Sequence, residues 1–249
     1  MSNATGFLRN FKSDVTGNSA ATVTADSVVM TRADGNSVNL PISSTLDTTG
    51  TGLNKLDTGT VANSSWYYLW AVSDGTTSGV VASTSSSAPD SSITNSYPYI
   101  AQLPATLRTN GSANLLATKA RGSTNQYVVG GVNVSAYPTI ASGSAGTFTS
   151  GLVTAFSAAS VSSIVPTNVT SNIKLLLEQG FNLAAFVSPN SNTAPNYGAG
   201  STNPAWGGCQ GGNVGNQYQA VEFLLESTDV YYAGLGASSG LYCLGWEHN

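Results

Sequence analysis

The run Trp66-Tyr67-Tyr68-Leu69-Trp70-Ala71-Val72 puts the tightest constraint on what this chain can fold into. Four of its first five residues are aromatic, and large rings backed by Leu, Ala and Val suit the pleated surface of a β-strand. Side chains alternate along a strand, so Trp66, Tyr68 and Trp70 point one way and Tyr67 and Leu69 the other. Both sides are apolar. One face is therefore expected in a core, and the other under a second packed layer or at a subunit interface. Leu56-Asp57-Thr58-Gly59, a turn former, leads into the run through the polar connector Thr60 to Ser65.

The rest of the chain repeats the theme of short apolar runs broken by turn signals. Thr22-Val23-Thr24 and Ser27-Val28-Val29-Met30 precede Ala33-Asp34-Gly35-Asn36, and the aromatic run leads into Asp74-Gly75. Asn110-Gly111 separates Pro104-Ala105-Thr106-Leu107 from Ala113-Asn114-Leu115-Leu116 at a hairpin spacing. This predicts an all-β protein of two antiparallel β-sandwich or jelly-roll-like domains. The first covers 21–136. Residues 137–151, rich in Gly, Ser and Thr, read as a linker, and 152–249 form a second β-domain. Within the latter, Gln179-Gly180 is a turn candidate between Ile173–Glu178 and Phe181–Val187.

The order of pieces around the aromatic run resembles a recurrent module of bacteriophage tail fibres and other virion appendages. In that module an LDTG turn, a polar gap and a WYY strand precede a Ser/Thr stretch ending in Ala-Pro, and an Arg-Thr-(Asp/Asn)-Gly hairpin follows. Here those later pieces are Ser83 to Ser87, Ala88-Pro89, Tyr97-Pro98-Tyr99 and Arg108-Thr109-Asn110-Gly111-Ser112. The resemblance spans about residues 45 to 130. It implies a virion structural protein, a homotrimeric tail fibre or appendage, assembled in the bacterial cytoplasm and contributing to host-surface adhesion. A capsid decoration or head fibre protein without a host ligand is the alternative. The order Val165-Pro166, a Tyr231-Tyr232 strand and a terminal Gly245-Trp246 strand is also similar to the C-terminal domains of some phage fibre proteins.

Charge supports such a surface protein. Only 8% of residues are charged, against about 25% in ordinary soluble domains, while 41% are apolar. That is a folded, amide- and hydroxyl-coated chain, not a disordered tail. A net charge of −4 with eight basic residues scattered along the sequence argues against nucleic acid as a partner. No apolar run reaches the roughly 20 residues of a membrane helix, so no membrane insertion is expected, and Met1 to Asn10 lacks the pattern of a secretory signal. From Gly122 to Ile173 no residue is charged, which suits burial against neighbouring copies in a homotrimer.

Residues 1–20 read as a separate attachment segment. Phe7, Phe11 and Val15 fall at i, i+4, i+8 with Leu8 adjacent, the stripe of a short amphipathic helix that docks on another virion protein or on its own domain. Between Val187 and Tyr218 lies the longest stretch without a strand signal, and loops beyond about 15 residues are usually functional or disordered. Tyr197 and Trp206 offer flat apolar faces there, and Asn203, Gln210 and Asn213 offer neutral amides. Those are materials for contact with host-surface polysaccharide, and also for loop packing or contact between subunits.

Catalysis is not expected, and no cofactor or metal is implied. The sole histidine, His248, sits beside a C-terminus read as frayed. Glu222 and Glu226 share a strand face about 13 Å apart, beyond the spacing of a glycosidase pair. Asp34, Asp57 and Asp74 lie in turns, where Asp is common without calcium. Cys243 reads as a small buried hydrophobe, with a disulfide to Cys209 as the alternative.

Overall fold

Strand β2 (Ala20–Thr31) shows how this sequence makes its sheets. Ala21, Val23 and Ala25 alternate inward, but Val28 and Met30 are also buried, and an odd step from 25 to 28 would put them on the opposite face. The register against β3 (Ser37–Asp47) shifts between Ala25 and Val28. This bulge restores the apolar set to the core and bends the strand, so that β2 can serve different neighbours along its length.

The computed structural model describes residues 8–149, 152–180, 184–191, 207–210 and 216–249. The fold is all-β, with antiparallel sheets and one short helix among the described residues. The chain divides into two compact units: residues up to Ala136 together with His248 and Asn249, and Tyr137–Glu247.

In the first unit β1 (Lys12–Val15), β2 and β3 are followed by β4 (Trp66–Ser73), β5 (Ser78–Ser83), α1 (Ser91–Thr94), β6 (Tyr99–Arg108), β7 (Thr118–Arg121) and β8 (Thr124–Tyr127). The ladder runs β8-β7-β1-β2-β6-β4-β5, with β3 on β2. The free side of β5 is covered by the chain itself: Asn54 donates to the Val80 carbonyl at 2.8 Å, and Ala82 donates to the Lys55 carbonyl at 3.0 Å. On β3, Ser78 donates its hydroxyl to the carbonyl of Pro41 at 2.8 Å. The sheet thereby curls into a nearly closed barrel around Val23, Met30, Leu46, Leu69, Leu103 and Leu107. Gly79 sits where segment 53–57 crosses β5, and a Cβ there would lie 2.6 Å from Leu53 and Asn54 atoms.

The aromatic strand resolves its two faces within one chain. Tyr67, Leu69 and Ala71 enter the barrel core. Tyr68, Trp70 and Val72 on the other face are 7%, 4% and 0% exposed without any partner subunit. Trp70 donates its Nε1–H to the Ser85 carbonyl at 3.2 Å, which draws the segment after β5 over that face. The second layer is internal, and a subunit interface is not needed to cover this strand.

Residues 8–20 correct the attachment-segment expectation. They form no helix. Strand β1 lies between β2 and β7, with Ser13 opposite Val23 and Ala120. Phe11 is 3% exposed in the barrel core, with Leu8 and Val15 packed against it. These three side chains belong to the domain and present no docking stripe; Phe7 lies outside the described residues.

The second unit holds β9 (Thr139–Ser142), β10 (Thr147–Thr149), β11 (Leu152–Ala155), β12 (Ser157–Ser160), β13 (Thr170–Gln179), β14 (Ala184–Ser188), β15 (Gly207–Gln210), β16 (Gln217–Leu224), β17 (Asp229–Gly234) and β18 (Gly240–His248). The span expected as a linker thus carries β9 and β10. One sheet contains β16-β13-β18 with β9 on β18, a second is β12-β17-β14-β15, and β10-β11 is a hairpin. Their inner faces bury Ile173, Leu175, Leu177, Phe186, Tyr232, Leu241, Cys243 and Trp246 as a sandwich core. Strands β13 and β14 belong to different sheets, so Gln179-Gly180 begins a crossover and not a hairpin turn. Cys243 is a free thiol, and burial pushes its pKa up to about 12.

Candidate functional site

The residues that carry the sequence module meet in space. Asp57 is only 6% exposed, and its carboxylate accepts from the Thr58 N–H at 2.8 Å and from the Asp90 N–H at 2.9 Å. The LDTG turn is thereby fastened to the residue after Ala88-Pro89, and Asp90 in turn caps α1 by accepting from the Ser92 N–H at 2.8 Å. Thr109, fully buried, donates its hydroxyl to the Ala62 carbonyl at 2.7 Å and accepts from the Ser65 N–H at 2.9 Å. It holds the polar gap. Tyr67 accepts from the Ala62 N–H at 2.7 Å, and the Arg108 guanidinium stacks 5.0 Å from the Trp66 ring centroid. Asn110 closes the hairpin, its side-chain oxygen accepting from Ser112 and Asn114 N–H groups. Most of these contacts satisfy backbone groups within or between the motif pieces, which is structural work.

A more open arrangement lies on the outer face of β16-β13-β18. The register sets Tyr218 opposite Glu178, Ala220 opposite Leu176, Glu222 opposite Lys174 and Leu224 opposite Asn172. Inward-facing Ile173, Leu175 and Leu177 fix this alternation, since slipping by one residue would expose them. Glu178 is the hub. It accepts from the Tyr242 hydroxyl at 2.7 Å, the Tyr218 hydroxyl at 3.0 Å and the Asn216 amide at 3.1 Å. The bond to the Glu178 carboxylate, followed by burial, pushes the Tyr242 phenol up to about 12. Tyr218 remains 59% exposed, so its ring presents an apolar face to water beside a fixed acceptor. Farther along, Lys174 pairs with Glu247 at 3.4 Å and Glu222 at 3.7 Å.

Of the residues expected to contact glycan, Tyr197, Asn203, Trp206 and Asn213 lie outside the described residues. Gln210 is in β15, antiparallel to β14 and opposite Ala184. Gly-Gly-Cys-Gln carries no strand signal, yet Gly208 is required there: a Cβ would come 2.4 Å from the Phe186 ring. Tyr218, Tyr242 and Asn216 escaped the sequence reading as partners of Glu178, because only the pairing of β13 with both β16 and β18 brings them together. The signal available was an aromatic residue just after a long Gly- and Asn-rich stretch of sequence.

His248 is 7% exposed, not frayed, and burial lowers its pKa. Its Nδ1 lies 3.3 Å from the Asn249 carbonyl, and Nε2 meets no hydrogen-bond partner among the described residues. Glu226 lies beyond the end of β16 and accepts from the Asn190 amide at 2.7 Å. Among the described residues no three His, Cys, Asp or Glu side chains gather as metal ligands. Asp74 accepts from the Thr76 and Thr77 N–H groups, which hold its carboxyl below the usual range. No family model, curated protein sequence or solved structure matches the chain.

Proposed function

We propose that the chain is a structural protein of a bacteriophage virion, a homotrimeric tail fibre or similar appendage that adheres to host-surface glycan. The observation that carries this reading is the interlocking of Asp57, Asp90, Arg108 and Thr109. The pieces whose order resembles the appendage module are the same pieces that hold one another by hydrogen bonds and a cation–π contact. Adhesion draws on the exposed Tyr218 ring beside Glu178, a few residues beyond the Gly- and Asn-rich sequence that carries Tyr197, Asn203, Trp206 and Asn213. A ring face covers sugar C–H groups while the carboxylate and amides accept and donate to hydroxyls. Each site is shallow, and three copies on a repetitive surface add by avidity.

Self-association is supported by where apolar surface remains. Val129, Tyr137, Tyr218, Leu224 and Leu235 are the exposed large hydrophobic residues among those described, and Val129 and Tyr137 fall in the charge-free span. Immunogold localisation on intact particles tests the reading directly, with label at the tail as the expected result. Purified protein should scatter light as three chains of 25.4 kDa, and Trp206→Ala or Tyr218→Ala should weaken glycan binding without changing the oligomer. Label on the capsid with no glycan binding by the parent protein would favour the decoration reading instead.

A further inference from the structure

Four of the eight basic residues, Arg9, Lys12, Lys119 and Arg121, are separated by more than a hundred positions in sequence yet lie on or beside one strand pair. Strands β1 and β7 run antiparallel with Lys12 opposite Arg121 and Asp14 opposite Lys119. Their partners Phe11, Ser13, Thr118 and Ala120 face inward and are buried, so Lys12, Asp14, Lys119 and Arg121 share the outer face. Three cations thus stand around one carboxylate, on a chain whose net charge is −4. Arg121 donates from Nη2 to both Asp14 oxygens at 3.0 and 2.9 Å, and from Nη1 to the Ala120 carbonyl at 2.7 Å. Lys12 and Lys119 form no ion pair among the described residues.

Like charges placed directly opposite on a sheet are destabilising, with Cβ atoms about 5 Å apart. Asp14 already offsets that cost at Arg121, which leaves Lys12 as the cation a bound anion would neutralise. Lys12 and Arg121 line an open depression of about 360 Å3 completed by Leu8, Asn10, Phe11 and Gly122. That volume is at the small-ligand end of binding pockets. It combines an apolar floor, two cations and one amide, which donates to the Asp26 carboxylate at 2.5 Å.

We propose that this depression is a binding site for a carboxylate-bearing sugar unit, a hexuronate of an acidic surface polysaccharide. The carboxylate pairs with Lys12 beside Arg121, the Asn10 side-chain oxygen accepts from a hydroxyl while its amide group stays on Asp26, and Leu8 lies under the C–H face. Lys119 adds long-range attraction. Nucleic acid is disfavoured, because three cations on an acidic chain give too short a stripe to follow a phosphate backbone. The proposal rests on the host-glycan reading, but it is a separate site from the Tyr218 face and is assayed with defined sugars on purified protein, whereas adhesion is assayed on particles and cells.

The test is calorimetric titration of the full chain with a hexuronate oligosaccharide, its carboxyl-reduced neutral counterpart and inorganic phosphate. Binding of the hexuronate alone is expected, weakening as salt shortens the Debye length. Lys12→Gln should weaken it about tenfold, the equivalent of one charge-assisted hydrogen bond. Asp14→Asn should strengthen it by removing the competing carboxylate, a change in the opposite direction that general damage to the fold would not give. Tyr218→Ala should leave it unchanged. Equal affinity for the neutral sugar, equal occupancy by phosphate, or indifference to Lys12→Gln and Lys119→Gln would overturn the proposal.

Discussion

Replacing Asp57 by Asn keeps the shape of the side chain and changes one oxygen into a donor. Both carboxylate oxygens now accept from backbone N–H groups, of Thr58 at 2.8 Å and Asp90 at 2.9 Å, in a side chain 6% exposed. The amide can satisfy one of these and must set its NH2 against the other. The loss is one hydrogen bond to a charged acceptor plus a stranded N–H, together about 3 kcal/mol. The first unit has an unfolding entropy of about 0.3 kcal/mol per kelvin by its length, so its melting temperature should fall by about 10 °C. The chain has two units, so differential scanning calorimetry is the suitable assay: one transition should move and the other should stay. Hydrogen exchange at the Asp90 amide should accelerate in parallel. A shift under about 2 °C, with Asp90 still protected, would show that another acceptor replaces Asp57 and that the carboxylate does not hold the module together.

Phe11→Ala should destabilise the first unit by about 3–5 kcal/mol, read as a lower urea midpoint, because the ring is buried in the barrel core; an effect near zero would restore the detached-segment picture. Alkaline pH should destabilise the second unit. Tyr242 and Tyr232 have folded pKa values pushed up to about 12, Tyr242 first by Glu178 and Tyr232 by burial, against about 10 when unfolded. A raised folded pKa contributes stability that is complete below pH 10 and lost as pH rises toward 12, so the melting temperature should fall across that window. Tyr242→Phe should flatten part of the fall and remove one late phenolate from the absorbance titration; a profile unchanged by the substitution would refute the Tyr242–Glu178 pairing.

Much of the first unit was legible because its signals are local. Alternation in Trp66–Val72, the Asn110-Gly111 turn and the turn-forming Asp residues all act within a few residues. The N-terminal error has a simple origin. A spacing of four fits a helix turn, but four is also even, so Phe11 and Val15 equally share one face of a strand. Lys12 and Asp14 between them, alternating with Phe11, Ser13 and Val15, carried the better signal. Nothing local could have placed β13 and β14 in separate sheets, nor brought Tyr218 and Tyr242 to Glu178. Equally, the basic residues look scattered because the ladder that unites them joins positions 12–14 to 119–121.

With so few charges, copies of this chain gain little mutual Coulombic repulsion, and crowding must be managed by denying strangers a place in the sheets. The first unit does so: Pro41 withholds an N–H on β3, and segment 53–57 occupies the hydrogen-bonding groups that β5 would otherwise offer. The second unit ends in β12, Ser-Ala-Ala-Ser, mostly exposed and bonded on one side to β17, and in β16 at the rim of its other sheet. Growth of any assembly is therefore directed by exclusion. Any strand-to-strand joining of copies would find its open hydrogen-bonding groups on β12 and β16 of the second unit and not on β5 of the first.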